Sequence, residues 1–288
     1  MPNQAFVLLE SGQVARSDGG DPIVPWWSFG KTILAATALR LVEQQRLSLD
    51  RPLGAYTLRQ LLRHEAGLPD YGAIAAYHRA VAAGDAPWSV EDLTAHADAV
   101  QPLYRAGTDW TYSNIGYMRV RTLVEDAFGD GLEAAARALV FQPLGLDNVR
   151  LALQPQDLVD VQMGSAHGYH PGWIYHGLFV GPLLKAAILL DGLMGASSPL
   201  SAQSLAAMRE THALPQFATP PWTAPAYGLG LMCSLTQDGW AVEGHTGGGP
   251  GTHLAVYRRT DGRPRTAATF AEIEEQAPVE IAAVDLLA

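Results

Sequence analysis

A hydroxyl and an amine three residues apart supply the first chemistry in this chain. In Trp27-Ser28-Phe29-Gly30-Lys31-Thr32, ahead of an amphipathic run from Ile33 to about Arg46, a helix would set Ser28 and Lys31 on one face within a single turn. A serine hydroxyl is too poor an acid to attack a carbonyl unaided, and a neighbouring amine is one way to activate it. The same pair is also an ordinary exposed helix start, so it gains meaning only with partners. Two later stretches offer them. Tyr112-Ser113-Asn114 follows the turn Arg105-Ala-Gly-Thr108, and His245-Thr246-Gly247-Gly248 closes a predicted strand. Taken singly, the first could be a turn before a helix at Tyr117 and the second a strand-end histidine.

The three pieces together, in this order, resemble the serine β-lactamase and penicillin-binding-protein superfamily, in particular its class C β-lactamase, DD-peptidase and esterase branch. The likeness continues through Leu58-Arg-Gln-Leu-Leu-Arg-His64 with Gly67-Leu-Pro69, Phe141-Gln-Pro-Leu-Gly-Leu146, Gly172-Trp173 with Gly177-Leu178, and Tyr227-Gly-Leu-Gly230, so it runs from about Trp27 to Arg259. The resemblance implies that Ser28 attacks a carbonyl and becomes acylated, with Lys31 stabilising the alkoxide and relaying its proton. It implies that Tyr112, its pKa lowered by nearby ammonium charge, serves as general base and later protonates the leaving group. Asn114 would orient Lys31 and bond a substrate amide. The backbone N–H groups of Ser28 and Gly248 would form an oxyanion hole. Thr246 would offer a hydroxyl to substrate, and Gly247 and Gly248 would let that strand approach closely.

Some positions depart from the family pattern. The third motif often begins with lysine; His245 is mostly neutral near pH 7 and presents less positive charge to a substrate carboxylate. Trp26-Trp27 stands where smaller residues are usual and is expected to narrow or line the cleft. No glutamate of the class A deacylating kind is identifiable, and Glu65 has no assigned role. The expected activity is a metal-free, cofactor-free serine hydrolase acting on a small ester or amide, with carboxylic esters favoured. A DD-peptidase, D-amino-acid peptidase or weak β-lactamase is the alternative, and a penicillin-binding or regulatory domain without turnover is the rival of another class.

These residues need elements to position them. Residues 5–9 and 13–16 read as two strands around a glycine turn. The Ser28 helix would be buried centrally through Ile33, Leu34, Thr37, Ala38, Leu41 and Val42. From Thr57 to about Ala187 the signals are helical and loop-like, with caps at Thr57 and Ser89, helices over 117–128 and 132–141, and an extended loop over 150–172. Helices are expected over 183–193 and from Ser201 to Glu210. Four strands (226–235, 240–245, 252–259, 266–271), with Asp-Gly turns at 238 and 261, precede a closing helix over 278–287. The fold class is therefore α/β (α+β): an antiparallel sheet built from both chain ends and flanked by helices, with a mostly helical inserted domain. The expected domains are 1–50 plus 189–288 and 51–188, with the active site in the cleft between them.

Composition narrows the partners. Nineteen Lys+Arg against 29 Asp+Glu leave a net charge of -10, which disfavours phosphate backbones and anionic lipid surfaces. The single cysteine, Cys233, allows no internal disulfide and reads as a small buried hydrophobe. No signal peptide or membrane span is legible, so the expected location is cytoplasmic, and the oligomeric state is open. His167, His170 and His176 read as members of a solvated loop rather than metal ligands. His64-Glu65 lacks the second histidine of a zinc-protease helix. Gly247-Gly-Gly-Pro-Gly251 leads into a strand, unlike a phosphate cradle. Trp88 and Trp110 read as packing residues.

Overall fold

Alternation of side chains along three neighbouring strands sets the architecture. Val7 and Leu9, Leu254 and Val256, and Ala268 and Phe270 fall in one apolar cluster, while Leu8, Ala255, Tyr257 and Ala267 fall in another. A sheet with both faces buried needs a layer on each side. The computed structural model, which describes residues 3–288, supplies them.

In chain order the elements are β1 (Gln4–Glu10), β2 (Gln13–Asp18), β3 (Ile23–Pro25), α1 (Gly30–Glu43), α2 (Leu58–Leu62), α3 (Ala75–Ala83), α4 (Val90–His96), α5 (Asn114–Phe128), α6 (Leu132–Ala136), β4 (Arg150–Ala152), β5 (Leu178–Pro182), α7 (Leu183–Met194), α8 (Ala202–Met208), β6 (His212–Ala213), β7 (Ala226–Tyr227), β8 (Met232–Leu235), β9 (Ala241–Gly249), β10 (Thr252–Arg259), β11 (Arg265–Ala271) and α9 (Ala277–Leu286). Eight strands form one antiparallel sheet in the order β2-β1-β11-β10-β9-β8-β7-β6. Strand β1 pairs with β11 from Gln4↔Ala271 to Glu10↔Arg265, so the two chain ends close the sheet. Helix α9 packs on one face, while α1 and α7 belong to the core on the other. The expected fold class is the one observed.

Helix α1 is buried on almost every side, Lys31, Thr32 and Thr37 included. A helix enclosed this way is a central pillar rather than a surface element. Thr57 caps α2 through a reciprocal capping box with Gln60, and Ser89 and Ser201 cap α4 and α8. Each such cap stabilises by about 1 kcal/mol.

Four expectations need correction. Between 57 and 187 there are strands: β4 and β5 join β3 in a three-stranded sheet. Strand β4 is too short to show alternation, and β5 is apolar and buried on both faces, so its period of two is hidden. The single strand expected over 226–235 is two, folded at Gly228-Leu-Gly230, where Gly230 has φ +65° and a Cβ would meet the Lys31 carbonyl at 2.6 Å. Strand β9 does not stop at His245 but continues to Gly249. Helix α5 begins at Asn114, not Tyr117, because Ser113 Oγ accepts from the Gly116 N–H and caps it. Helix α7 is continuous from Leu183 to Met194. Among the described residues, no helix is long and apolar enough to cross a membrane.

Candidate active site

Ser28 sits in a single 3-10 turn, Trp27–Phe29, that feeds directly into α1. Trp27 has φ +40°, a backbone state that costs a bulky residue on the order of 1 kcal/mol or more. Its ring holds it there: the indole N–H donates to Thr252 Oγ1 at 2.9 Å, and Tyr169 packs edge-on at 5.4 Å. Strand β9 lies against this elbow. A Cβ on Gly247 would stand 2.7 Å from the Trp26 carbonyl oxygen and 3.1 Å from the Ser28 nitrogen, which is why no larger residue fits.

Lys31 Nζ donates to Ser28 Oγ at 3.0 Å and to Asn114 Oδ1 at 2.7 Å. Its third neighbour is His176 Nε2, at 3.4 Å. Lys31 is fully buried, and that desolvation brings its ammonium down to about 7, with the Asp70 carboxylate pulling the other way. The amine is therefore close to half neutral at neutral pH. The neutral form has two N–H bonds and one lone pair. If Asn114 and His176 take the two protons, the lone pair is left facing the Ser28 hydroxyl.

Asn114 is itself fixed. Asp70 Oδ1 accepts from both the Asn114 backbone N–H and its side-chain amide, each at 2.9 Å. His64, at φ +62°, anchors the preceding loop: Ser113 N–H donates to His64 Nδ1 at 3.0 Å, and Thr111 N–H to the His64 carbonyl at 3.1 Å.

The Tyr112 ring carries the Lys31 nitrogen 4.8 Å from its centroid and packs 4.4 Å from His64. Burial pushes its phenol up, although contact with the Ser28 hydroxyl acts in the opposite sense. The expected lowering of this pKa is thus overturned. Burial acts on both groups, favouring the neutral amine at Lys31 and the neutral phenol at Tyr112.

His245 is 1 % exposed; its Nε2 faces the Tyr227 hydroxyl at 2.9 Å, and burial lowers its imidazole to about 3. It is neutral, as expected from its residue type. Thr246 points to the other sheet face, where its hydroxyl contacts Glu280 Oε1 at 2.6 Å and the Tyr257 hydroxyl at 2.8 Å. That hydroxyl is already engaged, contrary to the expectation that it would meet substrate.

Ser28, Asn114, His176 and Gly248 line one cavity of about 480 Å³, with Trp27, Tyr71 and His253 among its other walls. The expected pair Trp26-Trp27 divides: Trp27 lines the cavity, whereas Trp26 is buried against Phe29. His176 was misread as part of a solvated loop; it is 2 % exposed and set against Lys31. Its apolar neighbours, Trp173, Ile174, Leu178, Phe179 and Val180, are the sequence signal that this loop turns inward. Asp70 follows Gly67-Leu-Pro69 directly, but nothing in its spacing tied it to Asn114. Trp88 packs as expected, stacked on His96 at 4.1 Å. Trp110 packs too, edge-on to His64 at 5.7 Å, and it also lines a second cavity beyond Tyr112. Glu65 is structural, paired with Arg63 and His212. Among the described residues, no group of three or more His, Cys, Asp or Glu is placed to hold a metal.

Comparison with known proteins adds three kinds of likeness. The family described as Beta-lactamase matches residues 5–282. Penicillin-binding protein 4* of Bacillus subtilis (strain 168) is 23% identical over 243 residues, 74% of this chain and 50% of that one. The chain thus spans about half the length of the curated relative it matches. A D-stereospecific amidohydrolase from Streptomyces sp. superposes with a TM-score of 0.76 at 21% identity, covering 95% of this chain and 90% of that one. D-amino acid amidase from Ochrobactrum anthropi SV3 gives 0.78 at 18% identity, with 94% and 88% covered.

Proposed function

Because the chain belongs to the β-lactamase family, we propose that it is a serine hydrolase that forms an acyl-enzyme on Ser28 and acts on small carboxylic esters. The observation that carries this reading is the bonded chain Asp70–Asn114–Lys31–Ser28, which aims a buried, readily deprotonated amine at a hydroxyl.

The steps follow from those contacts. The neutral Lys31 amine takes the Ser28 proton as Oγ bonds to the substrate carbonyl carbon. The oxyanion is held by the backbone N–H groups of Ser28 and Gly248. As the bond to the leaving group breaks, that group takes its proton through the Tyr112 hydroxyl, which is replenished from the Lys31 ammonium. Water then attacks the acyl carbon, giving its proton to Lys31, and Ser28 Oγ departs with that proton restored. His176 and Asn114 act by positioning the amine. The cleft lies between the sheet part and the helical insertion. We place their junction at Pro182–Leu183, since α7 is continuous.

Esters are favoured over β-lactams and peptides with a free carboxylate because neutral His245 provides no fixed charge to bind one. A second reading, a D-amino-acid amide hydrolase, is supported by the two amidase-type structural neighbours. Incubation with p-nitrophenyl acetate, a D-phenylalanine p-nitroanilide and nitrocefin, each alongside Ser28→Ala, tests both. Ser28-dependent release from the ester alone supports the first reading, and faster anilide cleavage the second. Equal rates in wild type and Ser28→Ala would refute the serine mechanism.

A further inference from the structure

Tyr112, whose hydroxyl contacts that of Ser28, walls a second cavity of about 480 Å³ that shares no wall residue with the Ser28 cavity. Rings dominate it: Trp110, Phe217, Trp222, Tyr227 and Tyr257 join Tyr112. Trp110 lies 5.8 Å from Phe217 and 6.0 Å from Tyr227, and Trp222 lies 4.8 Å from Tyr257. Among the described residues, Glu280 is the one acidic or basic side chain in this wall, and it is 7% exposed. Its Oε1 accepts from Thr246 Oγ1 (2.6 Å), Gln276 Nε2 (3.1 Å) and the Tyr257 hydroxyl (3.3 Å). Its Oε2 accepts from the Trp222 indole N–H alone, at 3.3 Å.

Every one of those donors is neutral. A buried carboxylate without a cation is costly, and Oε2 keeps acceptor capacity after a single long bond. Aromatic faces attract cations through their quadrupoles, most strongly when desolvated. Two independent features, the ring walls and the uncompensated carboxylate, therefore ask for the same ligand chemistry. Its place beside Tyr112 points to which part of a substrate brings it. In the hydrolase reading, on which this inference rests, the leaving group is protonated at the Tyr112 hydroxyl. A cavity that begins at the Tyr112 ring then receives that group.

We propose that the aromatic cavity closed by Glu280 binds an ammonium group carried by an aromatic or alkyl leaving group of the substrate. The first test is binding, read by tryptophan fluorescence, of phenyltrimethylammonium against its neutral shape analogue 2-phenyl-2-propanol. Wild type should bind the cation at least about 10-fold more tightly, and equal binding overturns the proposal without any variant. In Glu280→Gln the preference should vanish while the neutral analogue binds as before, which also reports an intact cavity. A preference that survives this change assigns the cation elsewhere and overturns the proposal.

The second test is the ratio of kcat/KM for 4-(trimethylammonio)phenyl acetate to that for 4-tert-butylphenyl acetate. Leaving-group electronics cancel when this ratio is compared between proteins, and it should fall about 10-fold in Glu280→Gln. Ser28-dependent turnover with an unchanged ratio overturns the leaving-group assignment and leaves the hydrolase reading standing. Cation binding without Ser28-dependent turnover of any ester does the reverse: it sinks the hydrolase reading and retains the ammonium site.

Discussion

The Ser28 cavity and the Glu280 cavity are each about 480 Å³, yet they are built on different principles. At Ser28, buried polar groups are joined in one hydrogen-bonded chain from Asp70 through Asn114 and Lys31, and burial brings an amine into the working pH range. In the Glu280 cavity, burial is spent on rings, and the one carboxylate is left with neutral donors. Bond making requires atoms held to a fraction of an ångström, which a hydrogen-bonded chain provides. Recognition of a soft cation requires area and field, which rings and an uncompensated charge provide. Tyr112 serves both sides, with its hydroxyl at the serine and its ring in the wall.

Substitutions on the two sides should therefore fail differently. The largest effect is expected at Lys31. Lys31→Met should lower kcat/KM for p-nitrophenyl acetate by at least about 1,000-fold. It should also change the pH dependence of stability. The amine titrates near 7 in the folded protein and near about 10.4 when unfolded, so between those values the unfolded chain holds more protons. Wild-type stability relative to Lys31→Met should rise with pH across that window and be flat below it. Denaturant melts at several pH values measure this, and a gap that does not change with pH would mean the amine is solvated.

Next in size is Asp70→Asn, which disturbs the acceptor that fixes Asn114 and removes the charge that supports the Lys31 ammonium. A loss of about 10- to 100-fold in kcat is expected, as for the removal of an orienting partner. The acid limb of the kcat/KM profile should move below 7. A limb that stays put would detach Asp70 from the lysine.

His176→Phe keeps the volume and deletes the acceptor 3.4 Å from Lys31. It should cost about 10-fold in kcat with KM unchanged, and His176→Gln should recover part of that. An equal effect on KM would make His176 a substrate contact instead. The smallest effect belongs to the far side. Phe217, 53% exposed, can be cut to alanine without harm to the core. KM for an aromatic ammonium ester should then rise about 2- to 5-fold, with p-nitrophenyl acetate unaffected. Equal changes for both esters would erase the distinction between the cavities.

The parts of this arrangement that were legible in the sequence are those held by local spacing. Ser28 and Lys31 share a turn, Thr57 and Ser89 announce their helices, and the alternation over 252–259 gives β10. What was hidden depends on contacts between distant segments. Asp70 and Asn114 are 44 residues apart, and His176 and Lys31 are 145 apart. Glu280 is on a closing helix whose pattern says only that it packs on a sheet. Strand β5 was hidden for another reason: burial on both faces erases the alternation that marks a strand. The direction of the Tyr112 shift was misjudged because the neighbouring ammonium charge was counted and the burial of the phenol was not. Burial acts on both groups together, and it lowers the amine while raising the phenol.

The account stands most directly on the acylation of Ser28. Rapid acid quench of the protein with p-nitrophenyl acetate, followed by intact-mass analysis and peptide mapping, should show a single acetyl group on the peptide containing Ser28. The adduct should form together with a stoichiometric burst of p-nitrophenol and be absent in Ser28→Ala. A burst whose label maps to another residue, or steady turnover that persists in Ser28→Ala, would contradict it.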